Sequence, residues 1–273
     1  MLFQALDDKK NCVAVYKSGV LFKNHLQSDM THTWATSSYL RSLPVEYAYL
    51  YCQKSLKNVC PEHLQPELNE VLGLFAAFSK SLAESKIDVD QHCFYDLVPE
   101  SFLIRFCEIK NKISDYVFKH YTKPQDYNFL KNLHGIAQDI GHKKLNLDFS
   151  RIPMRDLSFA SKKKLQSVRL AAPFVRYNIF GSRTGRMTTR PNSFPILNLN
   201  KEFRQAVLPN KDRFVEFDFN AFELRVLFYL LGKEQPAIDI HEWNVNNVYG
   251  GLLTRDKAKE RVFAWLYNLE SRD

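Results

Sequence analysis

The chain has 273 residues and carries 38 Lys and Arg against 30 Asp and Glu, a formal charge of +8. That length suggests about two domains with enough chain to bury a core. No apolar run approaches the roughly 18 residues of a membrane span, and the N-terminus lacks a signal-peptide pattern, so neither a spanning nor an exported protein is expected. The five cysteines (Cys12, Cys52, Cys60, Cys93, Cys107) are odd in number and irregularly spaced. They read as thiols in a reducing, cytoplasmic setting, the host's if the protein is viral. Cys52, Cys60, His63, His92 and Cys93 fit no standard zinc-finger spacing, so a zinc site is not expected.

Residues 2–21 alternate enough for a β-hairpin, with Asp7-Asp8-Lys9-Lys10 as its turn and Cys12-Val13-Ala14-Val15-Tyr16 as the second strand. From 67 to 82 and from 100 to 120 the period becomes helical. Leu103, Phe106, Ile109, Ile113 and Tyr116 mark one face, and Leu130, Leu133, Ile136 and Ile140 mark a face of the next helix. Lys123-Pro124 separates these two, which read as a helical hairpin.

From Leu157 through Lys201 there is not one Asp or Glu, while Lys162, Lys163, Lys164, Arg169, Arg176, Arg183, Arg186, Arg190 and Lys201 fall within it. With Phe174, Tyr177, Phe180 and Phe194 interleaved, this stretch suits a surface that tracks a phosphate backbone.

Residues 213–219 alternate around Phe214, Val215 and Phe217 as a strand does, with Asp218 near its end. A helix-like segment, 221–231, follows. The last periodic segment, 254–267, has no Pro or Gly; Thr254 suits its N-cap and Asp256 the positive end of its dipole. Arg255, Lys259, Phe263 and Tyr267 recur every fourth residue, so they wind slowly along one edge. Ala258, Val262, Trp265 and Leu266 form the neighbouring apolar face. Two cations followed by two rings suit a nucleoside triphosphate: charges for phosphates, flat surfaces for sugar and base.

Here the chain resembles the family A DNA polymerases, typified by bacterial DNA polymerase I and its phage and mitochondrial relatives. Their first palm motif is matched by Asp218-Phe219-Asn220-Ala221-Phe222-Glu223-Leu224-Arg225, and their fingers helix by Arg255, Lys259, Phe263 and Tyr267. Thr184-Gly185-Arg186-Met187-Thr188-Thr189, Pro191-Asn192 and Arg204-Gln205-Ala206 look like the family's primer-template contact region, and Asp239-Ile240-His241 matches a short motif between the two. The resemblance covers roughly 176–267 and is much weaker upstream.

The resemblance implies a role for each matching position. Asp218 is one of two palm carboxylates for a pair of Mg²⁺ ions, with the Phe219 carbonyl beside it; two cations about 4 Å apart activate the primer 3′-hydroxyl and neutralise the transition state. Glu223 lies under the sugar 2′ position, Arg255 and Lys259 grip the triphosphate of a dNTP, Phe263 stacks near the sugar and Tyr267 closes the base pocket. His241 is a further phosphate contact. Arg183, Thr184, Arg186 and Asn192, with Lys162, Lys163 and Lys164, face primer-template DNA. Two departures stand out: Asn268 replaces the Gly that follows the fingers tyrosine, and no His-Asp-Glu string, the family's second metal motif, occurs in these residues.

The implied fold is a partial right-hand polymerase of α/β (α+β) class. Residues 1–95 form an N-terminal region, an exonuclease-like remnant that lacks the Asp-X-Glu metal motif at Asp7-Asp8-Lys9. A helical thumb-like region spans 96–175, the first part of the palm 176–250, and the start of the fingers 251–273. The implied partners are primer-template DNA, dNTP and a C-terminal half of the polymerase, without which the chain is expected to be inactive. A non-catalytic DNA-binding module and a relative of single-subunit RNA polymerases remain as alternatives, though the latter would not be expected to carry Glu223 in this setting.

Overall fold

The N-terminal alternation is realised as a small sheet. β1 (Gln4–Ala5) pairs antiparallel with β2 (Ala14–Lys17), which pairs antiparallel with β3 (Val20–Lys23). The second turn is Ser18-Gly19, both with positive φ, which a two-residue turn joining twisted strands demands. Asp7, nearly buried, organises the loop between β1 and β2. Its Oδ1 accepts from the amides of Asp8 (2.8 Å) and Lys9 (3.1 Å), and its Oδ2 from the amide of Phe94 (2.9 Å). The computed structural model describes residues 1–268 and Glu270, so the end of the expected 251–273 region lies outside the described residues.

After the sheet, β4 (His32–Thr33) pairs parallel with β5 (Glu46–Tyr47), which leads into α1 (Ala48–Cys52) and α2 (Leu56–Val59). Four helices follow: α3 (Gln65–Glu84), α4 (Phe94–Leu97), α5 (Glu100–His120) and α6 (Tyr127–Gly141). The long helices stand where their periodicity placed them, but α5 and α6 do not form the expected hairpin core. Helix α5 packs on α3 and α1, and its Leu103, Cys107, Ile109 and Ile113 join Leu68 and Val71 in one cluster. Helix α6 contributes Tyr127, Leu130 and Ala137 to a second cluster with Phe3, Val15 and Tyr47. Its buried stripe is Tyr127, Leu130, His134, Ala137 and Gly141, while Ile136 is exposed. Of the predicted face, Leu130 is buried, Leu133 packs on this second cluster and Ile140 on a third, and only Ile136 departs; the two buried glycines and His134 carry no apolar signal and widen the contact side beyond it.

Cys12 and Cys93 are joined in a disulfide, contrary to the expectation of thiols throughout. Cys52, Cys60 and Cys107 are free and buried, and burial pushes the Cys107 thiol up to about 12. Residues 81 apart in sequence meet because the turn after β1 and the start of α4 are drawn together by Asp7.

A third cluster lies beneath β6 (Asn146–Leu147), α7 (Phe159–Leu170), β7 (Tyr177–Asn178), β8 (Thr188–Thr189) and β9 (Val207–Leu208). β6 pairs antiparallel with β9, and β7 with β8. Phe194 is fully buried in this cluster; Tyr177 and Phe180 pack against the second. These contacts hold the basic stretch in place.

The chain divides into two compact units, Met1–Asn210 and Lys211–Asp273. The expected boundaries at 95 and 175 fall inside the first, and the one at 250 falls inside the second. The second unit holds α8 (Phe222–Leu230), α9 (Ile240–Asn247) and α10 (Arg255–Tyr267) around Leu224, Ile240 and Val262. The expected palm strand does not form: residues 213–219 belong to no sheet, and Phe214, Val215, Phe217 and Phe219 are 64%, 66%, 92% and 75% exposed. A strand exists only when a neighbour completes its hydrogen-bond ladder, and none does so here. The fold is thus mixed α and β with helix predominant, and no helix among the described residues is long and apolar enough to cross a membrane.

Candidate functional site

The second unit brings together the residues whose motifs are scattered from 218 to 267. Helix α10 begins where predicted: the Thr254 hydroxyl accepts from the amide of Lys257, and Ala258 and Val262 are buried on its inner face. Trp265, expected on that face, is 53% exposed, because the cluster beneath the helix ends at Leu266 and Tyr249. Along the other edge the Phe263 and Tyr267 rings lie parallel, 5.9 Å apart and 5° from coplanar, with Tyr267 mostly exposed. Lys259 is exposed one turn before them. His241, almost wholly buried, meets Phe263 at 5.8 Å.

One carboxylate ties these parts together. Asp239 caps α9, its Oδ1 accepting from the amides of His241 (2.9 Å) and Glu242 (3.0 Å). The Arg255 guanidinium grips both of its oxygens, Nε to Oδ1 at 3.2 Å and a terminal nitrogen to Oδ2 at 2.7 Å. The Asn220 side-chain amide donates to Oδ2 at 2.6 Å, and the Asn220 Oδ1 accepts from the amide of Ile240 at 3.3 Å. Arg225 in turn donates to the Asn220 carbonyl at 2.8 Å. The hydrogen bond from Arg255, joined by those from the α9 amides and Asn220, holds the Asp239 carboxyl far below the usual range despite partial burial.

His241 is the second polarised group. Burial lowers its pKa, opposed by Asp239 and reinforced by Arg255 and Lys259, so the ring is neutral near pH 7. Its Nδ1 is buried and has no hydrogen-bond partner among the described residues. A neutral imidazole beside two cations can orient an anion through hydrogen bonds but adds no charge of its own.

Asp218 is exposed, two residues before Asn220 and therefore within about 7 Å of it along the chain. Phe219 packs its ring on Phe222 at 5.5 Å. Glu223 stands half-buried in the first turn of α8. No group of three or more His, Cys, Asp or Glu able to hold a metal gathers among the described residues. Among the described residues, Asp218 and the Phe219 carbonyl are thus too few to hold a Mg²⁺ ion by themselves.

In the first unit, Arg183, Thr184 and Arg186 are exposed in the loop joining β7 and β8. The loop is shaped by Gly185 at φ +75° and by a hydrogen bond from the Ser182 hydroxyl to the Arg186 carbonyl (2.7 Å). Asn192 occupies an exposed left-handed turn (φ +60°). Of the three lysines on α7, Lys163 is exposed, Lys162 half-buried, and Lys164 reaches Asn200 Oδ1 at 2.6 Å.

Asp239 as a hub was not anticipated, although half of it was legible. Asp239 followed three residues later by Glu242 is an N-cap signature. The bond to Arg255, sixteen residues away, has no local signal. Family models, curated proteins and solved structures give no match to this chain.

Proposed function

We propose that this chain supplies the nucleotide-gripping part of a template-directed DNA polymerase resembling family A, adding deoxynucleotides to a primer 3′ end together with a C-terminal polymerase half. The observation that carries the reading is the Asp239 hub, which joins Asn220 of the first motif, Asp239-Ile240-His241 of the second and Arg255 of the third. Three segments that match the family in sequence order are also physically coupled.

In this reading α10 presents Lys259 and Arg255 to the triphosphate and the parallel Phe263 and Tyr267 rings to sugar and base. Arg255 exchanges part of its bond with Asp239 for a phosphate, an exchange between two oxyanions that costs little at an exposed site. His241 holds the triphosphate as a neutral hydrogen-bonding group. The exposed loop at Arg183, Thr184 and Arg186, with Asn192 and the α7 lysines, contacts the phosphates of primer-template DNA, setting affinity and register without reading sequence. Asp218 would offer one carboxylate to Mg²⁺, and the ion, completed by further ligands, would supply charge neutralisation at the reacting phosphate. The remaining ligands are assigned to the C-terminal half.

Primer extension by the chain reconstituted with such a half is the test. Asp218→Asn should lower nucleotide addition by several orders of magnitude and leave DNA binding nearly intact, whereas Glu223→Ala should raise ribonucleotide use relative to deoxyribonucleotide. Equal extension rates for the parent and Asp218→Asn would refute the reading.

A further inference from the structure

A cleft of about 600 Å³ lies wholly within the first unit, at the base of the β7–β8 hairpin, and none of the residues assigned above to the nucleotide lines it. Its wall is aromatic. Tyr49 is half-buried at the centre, with Trp34 at 6.3 Å, Phe180 at 5.2 Å and His134 at 5.4 Å, all tilted or edge-on to it. Asn178 fixes this arrangement: its Oδ1 accepts from the Tyr49 hydroxyl at 3.2 Å and from the Phe180 amide at 3.1 Å. The rings are therefore positioned before any ligand arrives, which lowers the ordering cost of binding.

His134 adds an independent observation. It is only 4% exposed and lines the cleft, and its Nδ1 is buried without a hydrogen-bond partner among the described residues. A buried polar nitrogen left unpaired costs free energy. Burial pushes the ring down to about 4, aided by Arg190 and Arg41, so near pH 7 it offers one donor and one acceptor rather than a charge. Lys54 and Arg190, both exposed, line the same cleft. Arg190 donates its Nε to the Tyr177 carbonyl (3.1 Å).

Aromatic surface, a neutral imidazole at depth and two cations nearer solvent define a ligand with a planar ring and an attached anion. We propose that this cleft binds one unpaired nucleotide, the base against Tyr49 beside the neutral His134 ring, its phosphate held by Lys54 and Arg190. The site goes beyond the polymerase reading, since it lies in the other unit and handles a base outside the duplex.

The experiment uses the full chain without Mg²⁺ or triphosphate, so that its failure is separable from failure of the polymerase reading. Anisotropy of a labelled single-stranded DNA hexamer is compared with that of an abasic hexamer carrying the same phosphates, and a nucleoside 5′-monophosphate is used as competitor. The base-bearing strand should bind about tenfold more tightly than the abasic one, as one stacked base allows. Tyr49→Leu should abolish that difference while leaving abasic binding unchanged, with retained folding checked by the Trp34 fluorescence transition. Lys54→Ala, at an exposed position that does not threaten folding, should weaken both strands by a similar factor. Competition by the monophosphate identifies a free nucleotide as the source, and its absence identifies a strand; either supports the site. Equal binding of the two hexamers, or a base preference that survives both Tyr49→Leu and Phe180→Leu, overturns it.

Discussion

Replacing Asp239 separates two contributions that one carboxylate makes to the second unit. As the N-cap of α9 it satisfies two amides that would otherwise lack partners, and losing a cap costs about 1 kcal/mol. As the partner of Arg255 it forms a two-point pair whose side chains are 22% and 44% exposed. Solvent screens such a pair to about 1 kcal/mol. Asp239→Ala should therefore cost about 2 kcal/mol, whereas Asp239→Asn, which can still cap, should cost about 1 kcal/mol. Urea unfolding followed by fluorescence reports this unit well, because Trp243 and Trp265 lie in it and only Trp34 lies in the other. The sign with pH follows from the depressed carboxyl. Its stabilisation is fully present above the unfolded value, about 3.9, and declines as pH falls below that toward the folded value. The parent should thus lose stability between pH 5 and 2 more steeply than Asp239→Asn. If the two substitutions cost the same, or neither moves the midpoint, the hub does not hold these elements together.

Two further expectations concern the first unit. A Cβ on Gly181 would sit 1.8 Å from the Thr188 Oγ1 and 2.7 Å from its Cβ, so Gly181→Ala should destabilise by about 1–3 kcal/mol in thermal unfolding. Thr188→Gly in the same chain should recover most of that loss, and no recovery would show that the close approach is not the cause. The Cys12–Cys93 crosslink closes a long loop, so Cys12→Ser with Cys93→Ser should lower the unfolding free energy by about 2–4 kcal/mol. Added reductant should lower the parent to the same value and leave the double variant unchanged.

What the sequence disclosed depended on how local each signal was. Helix α5 spans the predicted residues because its apolar period, the proline before it and the basic residues at its end all lie within the segment. The Thr254 cap is likewise set by neighbours in the chain, whereas the Ser18-Gly19 turn, just as local, was not anticipated. Helix α6 buries a wider side than its apolar residues marked, because His134, Gly135 and Gly141 join it, where close approach rather than apolar area decides burial. Arg41 reaches this side, bonding the Gly135 carbonyl and the Asp139 carboxylate, and neither contact leaves a periodic trace. The disulfide was missed for the same reason: its two residues are joined by the Asp7 loop geometry, not by spacing.

The contrast between the Asp239 hub and residues 213–219 defines how far the second unit can organise itself. The hub is complete because each donor around Asp239 comes from within the unit, and charge-assisted hydrogen bonds form wherever donors and acceptor can meet. Residues 213–219 carry equally strong local signals, alternating and rich in aromatic and β-branched side chains, yet strand character is a property of a pair. Each of Phe214, Val215, Phe217 and Phe219 would gain about 1.5–3 kcal/mol on full burial, and none obtains it from the unit's own helices. Asp218 lies in this unpaired segment, whereas Arg255 and His241 belong to the hydrogen-bonded cluster. The groups proposed to grip a nucleotide are thus held by contacts local to the unit, while the carboxylate proposed for metal chemistry sits where order must come from strand pairing. This is why the proposed division of labour places gripping in this chain and metal chemistry at a sheet completed by a C-terminal half.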